Sequence, residues 1–287
     1  MTDEFPLYWQ TIRLVYRAET GGWVGKHKSS AWRGMLGHAL KSLHLGWYYQ
    51  IFENKVSPLH PAGRRLRQGP VPYVLVVPDM QNEKIEAGQE IEIFFTLIGK
   101  PVELLLQMAP VYQRMGEAWG PDRVRMAWEG FEVLPVMSWS KLQRLPYAGA
   151  AVIQLTTPWV NGNSQTPVFE DFASSLAERA GWLSHFFCEG SMPENITAWR
   201  EEAAQTQTTD RRLSRDETTR YSARQGRKMD IPGWTGKWQV HNITAPLATL
   251  LLAGHSIGVG KGAAWGLGQI QTYWLPGHSY HLRESKK

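Results

Sequence analysis

The 287-residue chain contains one cysteine, Cys188. An internal disulfide framework and a cysteine-based metal site are therefore both excluded, and such usage fits a reducing compartment. No apolar run approaches the roughly 20 residues that span a bilayer. Met1 to Pro6 carries two acids where a signal peptide would be apolar. A cytoplasmic protein with no membrane association is predicted. Carboxylates are scattered and not clustered, which argues against a nuclease built on paired metal ions. His278 and His281 share a tail with little beside them to complete a metal site. No metal and no cofactor is expected.

Large apolar residues and positive charge are plentiful. Hydrophobic residues make up 43% of the chain, with fourteen tryptophans and nine methionines, which is enough for a sizeable core. Large aromatics fill cores, stack on bases and anchor interfaces. Lys plus Arg number 31 against 26 for Asp plus Glu, a net charge of +5 that suits an anionic partner.

The periodicity predicts strands at residues 7–17, 73–77, 90–98 and 124–134, with helices at 31–45, capped by Ser29-Ser30, and at 102–119. That order is βαββαβ. It returns in the second half. A strand at 150–157 precedes a helix at 168–187. A strand pair at 221–229 and 234–243 follows, then a short helix at 247–253 and a closing strand at 264–274. The fold class is α+β, with two ferredoxin-like units in tandem. The expected division is 1–140 and 149–287, with the join near 138–148.

Gly254 to Gly268 reads GHSIGVGKGAAWGLG, six glycines in fifteen residues. It is not a Walker A loop: the Gly260-Lys261 pair is followed by Gly262, and His255 stands where the first glycine belongs. It is not a dinucleotide fingerprint either, because it follows a helical stretch and does not open a helix. Two readings remain. One is a plain helix-to-strand connection. The other is a backbone cradle for an anion, with Lys261 adding charge.

On the first helix, Trp32, Leu36, Ala39, Leu40 and Leu43 form an apolar stripe. Arg33, Gly34, Gly37, His38, Lys41 and Ser42 take the other side. Two glycines there suggest that a backbone or ligand packs close. Arg211 to Lys228 holds seven basic residues against Asp216 and Glu217 and reads as a polar loop entering a hairpin. Its Arg and Lys side chains suit phosphates, and Tyr221 suits an unpaired base. A smaller basic cluster lies at residues 60–67.

Three segments carry a resemblance. GVGKGAAWGLGQI is similar to the C-terminal glycine-rich signature of the RAMP superfamily. KSSAWRGMLGHAL (28–40) and RYSARQGRKMDIPGWTGKWQV (220–240) resemble its N-terminal helix and the segment before its penultimate hairpin. Together, in order, they most resemble the CRISPR-associated endoribonucleases that process precursor CRISPR RNA. The resemblance implies two ferredoxin-like folds and metal-independent cleavage of repeat RNA. In such cleavage the 2′-OH attacks the adjacent phosphate, leaving a 2′,3′-cyclic phosphate and a 5′-OH. It implies His38, with Lys41 and Arg33, as catalytic candidates, and His27, His44 and His255 as substitutes. It also implies RNA contacts from Lys26, Lys28, Arg220, Tyr221, Arg224, Arg227, Lys228, Gly258, Gly260, Lys261 and Gly262. RNA is the expected partner, together with other CRISPR effector subunits where relatives assemble with them. The alternative is a subunit that binds guide RNA without cutting it.

Overall fold

The computed structural model describes residues 5–25, 28–54, 69–78, 83–162, 165–191, 196–222, 227–276 and 280–281. Strand β1 (Tyr8–Ala18) runs through the middle of the first sheet. Its alternate residues Ile12, Leu14, Tyr16 and Ala18 are buried on one face, the period-2 burial that a half-covered strand requires. A short strand β2 (Gly22–Trp23) leads into helix α1 (Lys28–Leu43), then a turn of helix α2 (Leu45–Trp47) and a π-turn at Tyr48–Phe52. Strands β3 (Tyr73–Val76), β4 (Lys84–Ile85) and β5 (Glu90–Ile98) follow. Helix α3 (Ala109–Met115), β6 (Met126–Val133) and β7 (Met137–Ser138) complete the unit.

The strand order is β3-β5-β1-β6, antiparallel throughout, with β7 pairing β1 and β2 pairing β4 apart from it. Helices α1 and α3 cover the apolar face. Trp32 lies 4.6 Å from the Tyr16 ring and 5.2 Å from Trp119, and the Tyr16 hydroxyl donates to the Tyr112 carbonyl at 2.6 Å.

The second unit repeats this plan. Helix α4 (Trp139–Leu142) and β8 (Tyr147–Ala148) lead to β9 (Ala150–Trp159), α5 (Phe169–Phe187) and α6 (Ile196–Ala204). A long hairpin of β10 (Gln207–Ser222) and β11 (Arg227–His241) is followed by α7 (Ala245–Ile257), β12 (Ile270–Trp274) and β13 (Tyr280–His281), which pairs β8. The order β10-β11-β9-β12 places the strands of this βαββαβ unit as the first sheet places its own. Two ferredoxin-like folds in tandem are thus observed.

The cores interlock. Trp9, Val74 and Ile98 of the first sheet belong to the apolar cluster of the second unit, while Ala264 and Trp265 pack into the first. Trp139 ties the join: its amide donates to the Leu7 carbonyl at 2.8 Å, and its ring meets Trp199 at 6.2 Å.

Three expectations need correction. The helix expected at 102–119 is a 3₁₀ turn (Lys100–Leu104) followed by α3, each with a proline at its start. Proline suits a first turn and cannot continue a preceding helix. The polar loop expected at 211–228 is mostly strand: β10 runs to Ser222 and β11 begins at Arg227, so the strand expected at 221–229 is the end of a hairpin. Backbone pairing needs no apolar side chains, and β-branched threonines favour it. The closing strand begins at Ile270, not Ala264, because Gly266 and Gly268 take positive φ.

The two glycines of α1 differ. A Cβ on Gly37 would lie 2.5 Å from the Phe52 ring, whereas at Gly34 nothing lies within 4 Å. Gly34→Ala is expected to raise stability by about 0.5–1 kcal/mol, because alanine costs the helix less backbone entropy. Gly37→Ala is expected to lower it by about 1–3 kcal/mol through overpacking. Urea midpoints for the two variants test this, and equal shifts would contradict it.

Candidate nucleic-acid interface

The glycine-rich segment emerges from the C-terminus of α7. Gly258, with φ of 65°, ends the helix and donates to the Gly254 carbonyl at 2.9 Å. The chain then doubles back. Val259 N–H donates to the Gly268 carbonyl, and Gly268 N–H donates to the Pro158 carbonyl, both at 2.9 Å. Lys261 N–H donates to the Val160 carbonyl at 3.1 Å, an isolated antiparallel bridge to the end of β9. Between these lies a 3₁₀ turn at Ala263–Trp265.

The glycines are required by these contacts. A Cβ on Gly260 (φ 73°) would sit 2.6 Å from the Trp159 ring, and one on Gly266 (φ 84°) would sit 2.7 Å from Ser29 Oγ at the start of α1. The segment is thus a packed part of the fold. It spans from β9 of the second unit to α1 of the first. Lys261 projects from it, exposed, and its Nζ comes within 4.0 Å of where a Cβ on Gly162 would lie. Gly262, Ala263 and Ala264 hold the opening of the 3₁₀ turn, whose first amides find no acceptor inside the turn.

Helix α1 presents two polar faces where the sequence suggested one. Arg33 turns inward: its Nε donates to the Tyr73 hydroxyl at 3.0 Å, and its guanidinium lies 4.3 Å over the Phe52 ring. Burial pushes the Tyr73 hydroxyl up to about 12 despite that guanidinium. Gly34, His38, Lys41 and Ser42 face outward and are exposed. Ser29, against which Gly266 packs, is nine residues before His38, about 14 Å along the helix axis. Lys28 is buried and faces inward, not toward solvent.

The remaining candidates separate. His44 is exposed, with its ring stacked on Trp47 at 3.7 Å and 8°. His255 Nε2 accepts the Thr272 N–H at 3.0 Å, and burial draws its pKa below 6.5. Both features favour the neutral imidazole. The backbone places Arg220, Tyr221, Arg227 and Lys228 on the outer ends of β10 and β11, beyond the last pairing of β11 with β9 at Trp234. Lys26, His27, Arg224 and the cluster at 60–67 lie outside the described residues, as does His278. Among the described residues, no three His, Cys, Asp or Glu side chains are grouped as metal ligands, and no helix is long and apolar enough to cross a membrane.

Charge also sorts the surfaces. On the open face of the first sheet, Arg13 pairs with Glu92 at 2.7 Å and Glu132 at 3.0 Å, and Arg17 pairs with Glu90 at 3.3 Å and with Glu129. Four carboxylates around two guanidiniums leave that face without surplus positive charge. By contrast, residues 20–52, which include all of α1, contain no Asp or Glu.

Residues 153–270, from β9 to the first residue of β12, match the family model of the CRISPR-associated endoribonuclease Cas6. The C-terminal unit thus carries a Cas6 domain. A second family model, described as an N-terminal domain, matches residues 7–149. Among solved structures, a Cas6 product complex aligns with a TM-score of 0.59 at 17% identity, covering 92% of this chain and 99% of that one. Thermus thermophilus Cas6 aligns at 0.53 and 17%, covering 93% and 98%. A Cas6-related protein from Pyrococcus furiosus aligns at 0.53 and 10%, covering 92% and 98%. No curated protein sequence matches the chain.

Sequence reasoning missed Arg179 in this Cas6 domain. Its Nε donates to the Ile257 carbonyl at 2.7 Å, capping α7 where the glycine segment starts, and burial draws its pKa down to about 10. A lone arginine on an amphipathic helix gives no sign that it will cap another helix 78 residues away.

Gly260→Val is expected to lower stability by about 2–5 kcal/mol, from backbone strain and from collision with Trp159. Lys261→Ala should leave the melting temperature unchanged. It should reduce the salt slope of log K for RNA by about 0.7, the loss of one phosphate contact on a single strand. A wild-type melt for the valine variant or an unchanged slope for the alanine variant would contradict these assignments.

His255 also makes a pH prediction. Its folded-state pKa is lowered, so the unfolded chain binds this proton more readily. The stabilisation is complete above about pH 6.5 and is lost as pH falls through the lowered value. Stability of His255→Gln should decline less than wild type between about pH 7 and 5. Parallel declines would show that His255 does not contribute.

Proposed function

We propose that this chain binds and cleaves CRISPR repeat RNA without a metal ion, releasing mature guide RNAs. The observation that carries the reading is the outward face of α1: His38 exposed, Lys41 one turn beyond it, and no carboxylate from residue 20 to residue 52. An imidazole beside an ammonium on an acid-free surface suits a phosphodiester and the charge it gains in transition.

In this mechanism the ribose 2′-oxygen forms a bond to the adjacent phosphorus and the bond from phosphorus to the 5′-oxygen breaks. The 2′-OH proton leaves to a base, and the departing 5′-oxygen gains one. The products are a 2′,3′-cyclic phosphate and a 5′-OH. His38 serves one of these proton transfers, and Lys41 stabilises the dianionic phosphorane. Arg33, held by Tyr73 and Phe52, fixes the helix that carries them. Lys261 takes a phosphate at the glycine segment. Lys26 and the hairpin residues Arg220, Tyr221, Arg224, Arg227 and Lys228 extend the contact.

Repeat RNA should be cut in excess EDTA, and a 2′-deoxy substitution at the scissile nucleotide should stop the reaction. His38→Ala should slow single-turnover cleavage by roughly 10²–10⁴-fold with affinity largely kept, the usual scale for a lost acid or base. Magnesium dependence or cutting of the deoxy substrate would overturn the mechanism. A wild-type rate for His38→Ala would remove His38 from it. Tight binding with no cleavage by the wild-type chain would assign it to guide-RNA retention.

A further inference from the structure

We infer that His44, stacked on Trp47, is a platform for an unpaired nucleobase of the RNA, next to the phosphate handled by His38. The inference rests on the proposed function and adds a base-binding position to it.

The aromatic residues after α1 divide into two groups. Tyr48, Phe52 and Tyr73 stack inward, with ring separations of 5.3 and 6.1 Å, and the Tyr48 hydroxyl is tied to Glu53 at 3.0 Å. They join Arg33 in holding α1 and serve the fold. His44 and Trp47 do not belong to that stack, and Tyr49 touches it only edge-on, at 5.6 Å from Tyr48. Trp47 packs partly against the first core, and His44 lies flush on it at 3.7 Å and 8°. His44 is exposed, so the far face of its ring is open to solvent. Tyr49 is 55% exposed, and Leu43 and Leu45 are 45% and 50% exposed. These apolar side chains are concentrated on one short turn.

Two observations select RNA as the occupant. The first is charge. Residues 20–52 hold Lys26, Lys28, Arg33 and Lys41 with His27, His38 and His44 and no acid, which favours an anionic polymer over an acidic or neutral protein surface. The second is placement. The His44 amide still donates to the Leu40 carbonyl at 2.8 Å, so the chain carries the ring one turn past Lys41 before the helix breaks. His44 is six residues from His38, about 9 Å along the axis. A base on an aromatic face, with its backbone beside cations, is how sequence-tolerant single-strand sites are built. In this reading His44 supplies a π-surface and no proton.

Aromatic and titratable roles separate by substitution. The probe is the repeat RNA from the same genome, intact or with an abasic residue next to the scissile phosphate, bound to full-length protein carrying His38→Ala to prevent cutting. His44→Ala should weaken intact RNA by roughly 5–150-fold, the range for one base stacked on a ring. His44→Phe should stay within about threefold of the parent, because it keeps the π-face. The abasic RNA should bind the parent as weakly as intact RNA binds His44→Ala, with no further loss when the two changes are combined. Tyr49→Ala, at a half-exposed position, should give a smaller loss in the same direction. Equal affinity of the parent and His44→Ala would overturn the platform, as would a His44→Phe defect as large as that of alanine. Independent losses from the abasic RNA and His44→Ala would also overturn it. If the otherwise wild-type chain neither binds nor cuts the repeat RNA, the proposed function has failed. If it does both while His44→Ala is neutral, only the platform has failed.

Discussion

The close approach of the 258–268 backbone to Trp159 on one side and Ser29 on the other is the constraint on which the rest of the structure depends. Each contact leaves no room for a Cβ. Together they hold the end of β9, the start of β12 and the first turn of α1 in one unit, so the two ferredoxin-like folds cannot drift apart without tearing this segment. Ala264 and Trp265 in the first core, and Trp9, Val74 and Ile98 in the second, extend the same join. A glycine run that reads as a flexible or ligand-shaped loop is here a rivet. Its lysine, Lys261, is exposed.

That rivet also orients α1. With Ser29 pinned beneath Gly266, and with Arg33 and Gly37 clamped against Tyr73 and Phe52, only one stripe of the helix can face outward. Gly34, His38 and Lys41 lie on it. Gly34 is the telling residue. It costs the helix stability, and no neighbour repays that cost.

Electrostatics divides the remaining surface. Arg13 and Arg17 are spent on Glu90, Glu92, Glu129 and Glu132 across the open face of the first sheet. Lys41 on α1 and Lys261 are exposed cations away from that face.

The repeated strand and helix order was legible in the sequence because burial imposes a period of 2 on strands such as Glu90–Ile98 and a period near 3.6 on helices such as Phe169–Phe187. Composition likewise marked the glycine cluster. Periodicity could not see that Pro101 and Pro110 break one long helical pattern, or that a polar arginine-rich run pairs as a strand, since backbone hydrogen bonds carry no side-chain signature. Nor could it divide Arg33 from His38, bury Lys28, or set His44 flat against Trp47. Those outcomes depend on which residues distant in the chain arrive beside them: Tyr73 and Phe52 for Arg33, Gly266 for Ser29, Ile257 for Arg179. Local sequence determined the elements and their apolar faces through short-range sterics and hydrophobic patterning. Tertiary packing alone decided which polar groups were consumed inside and which were left facing out.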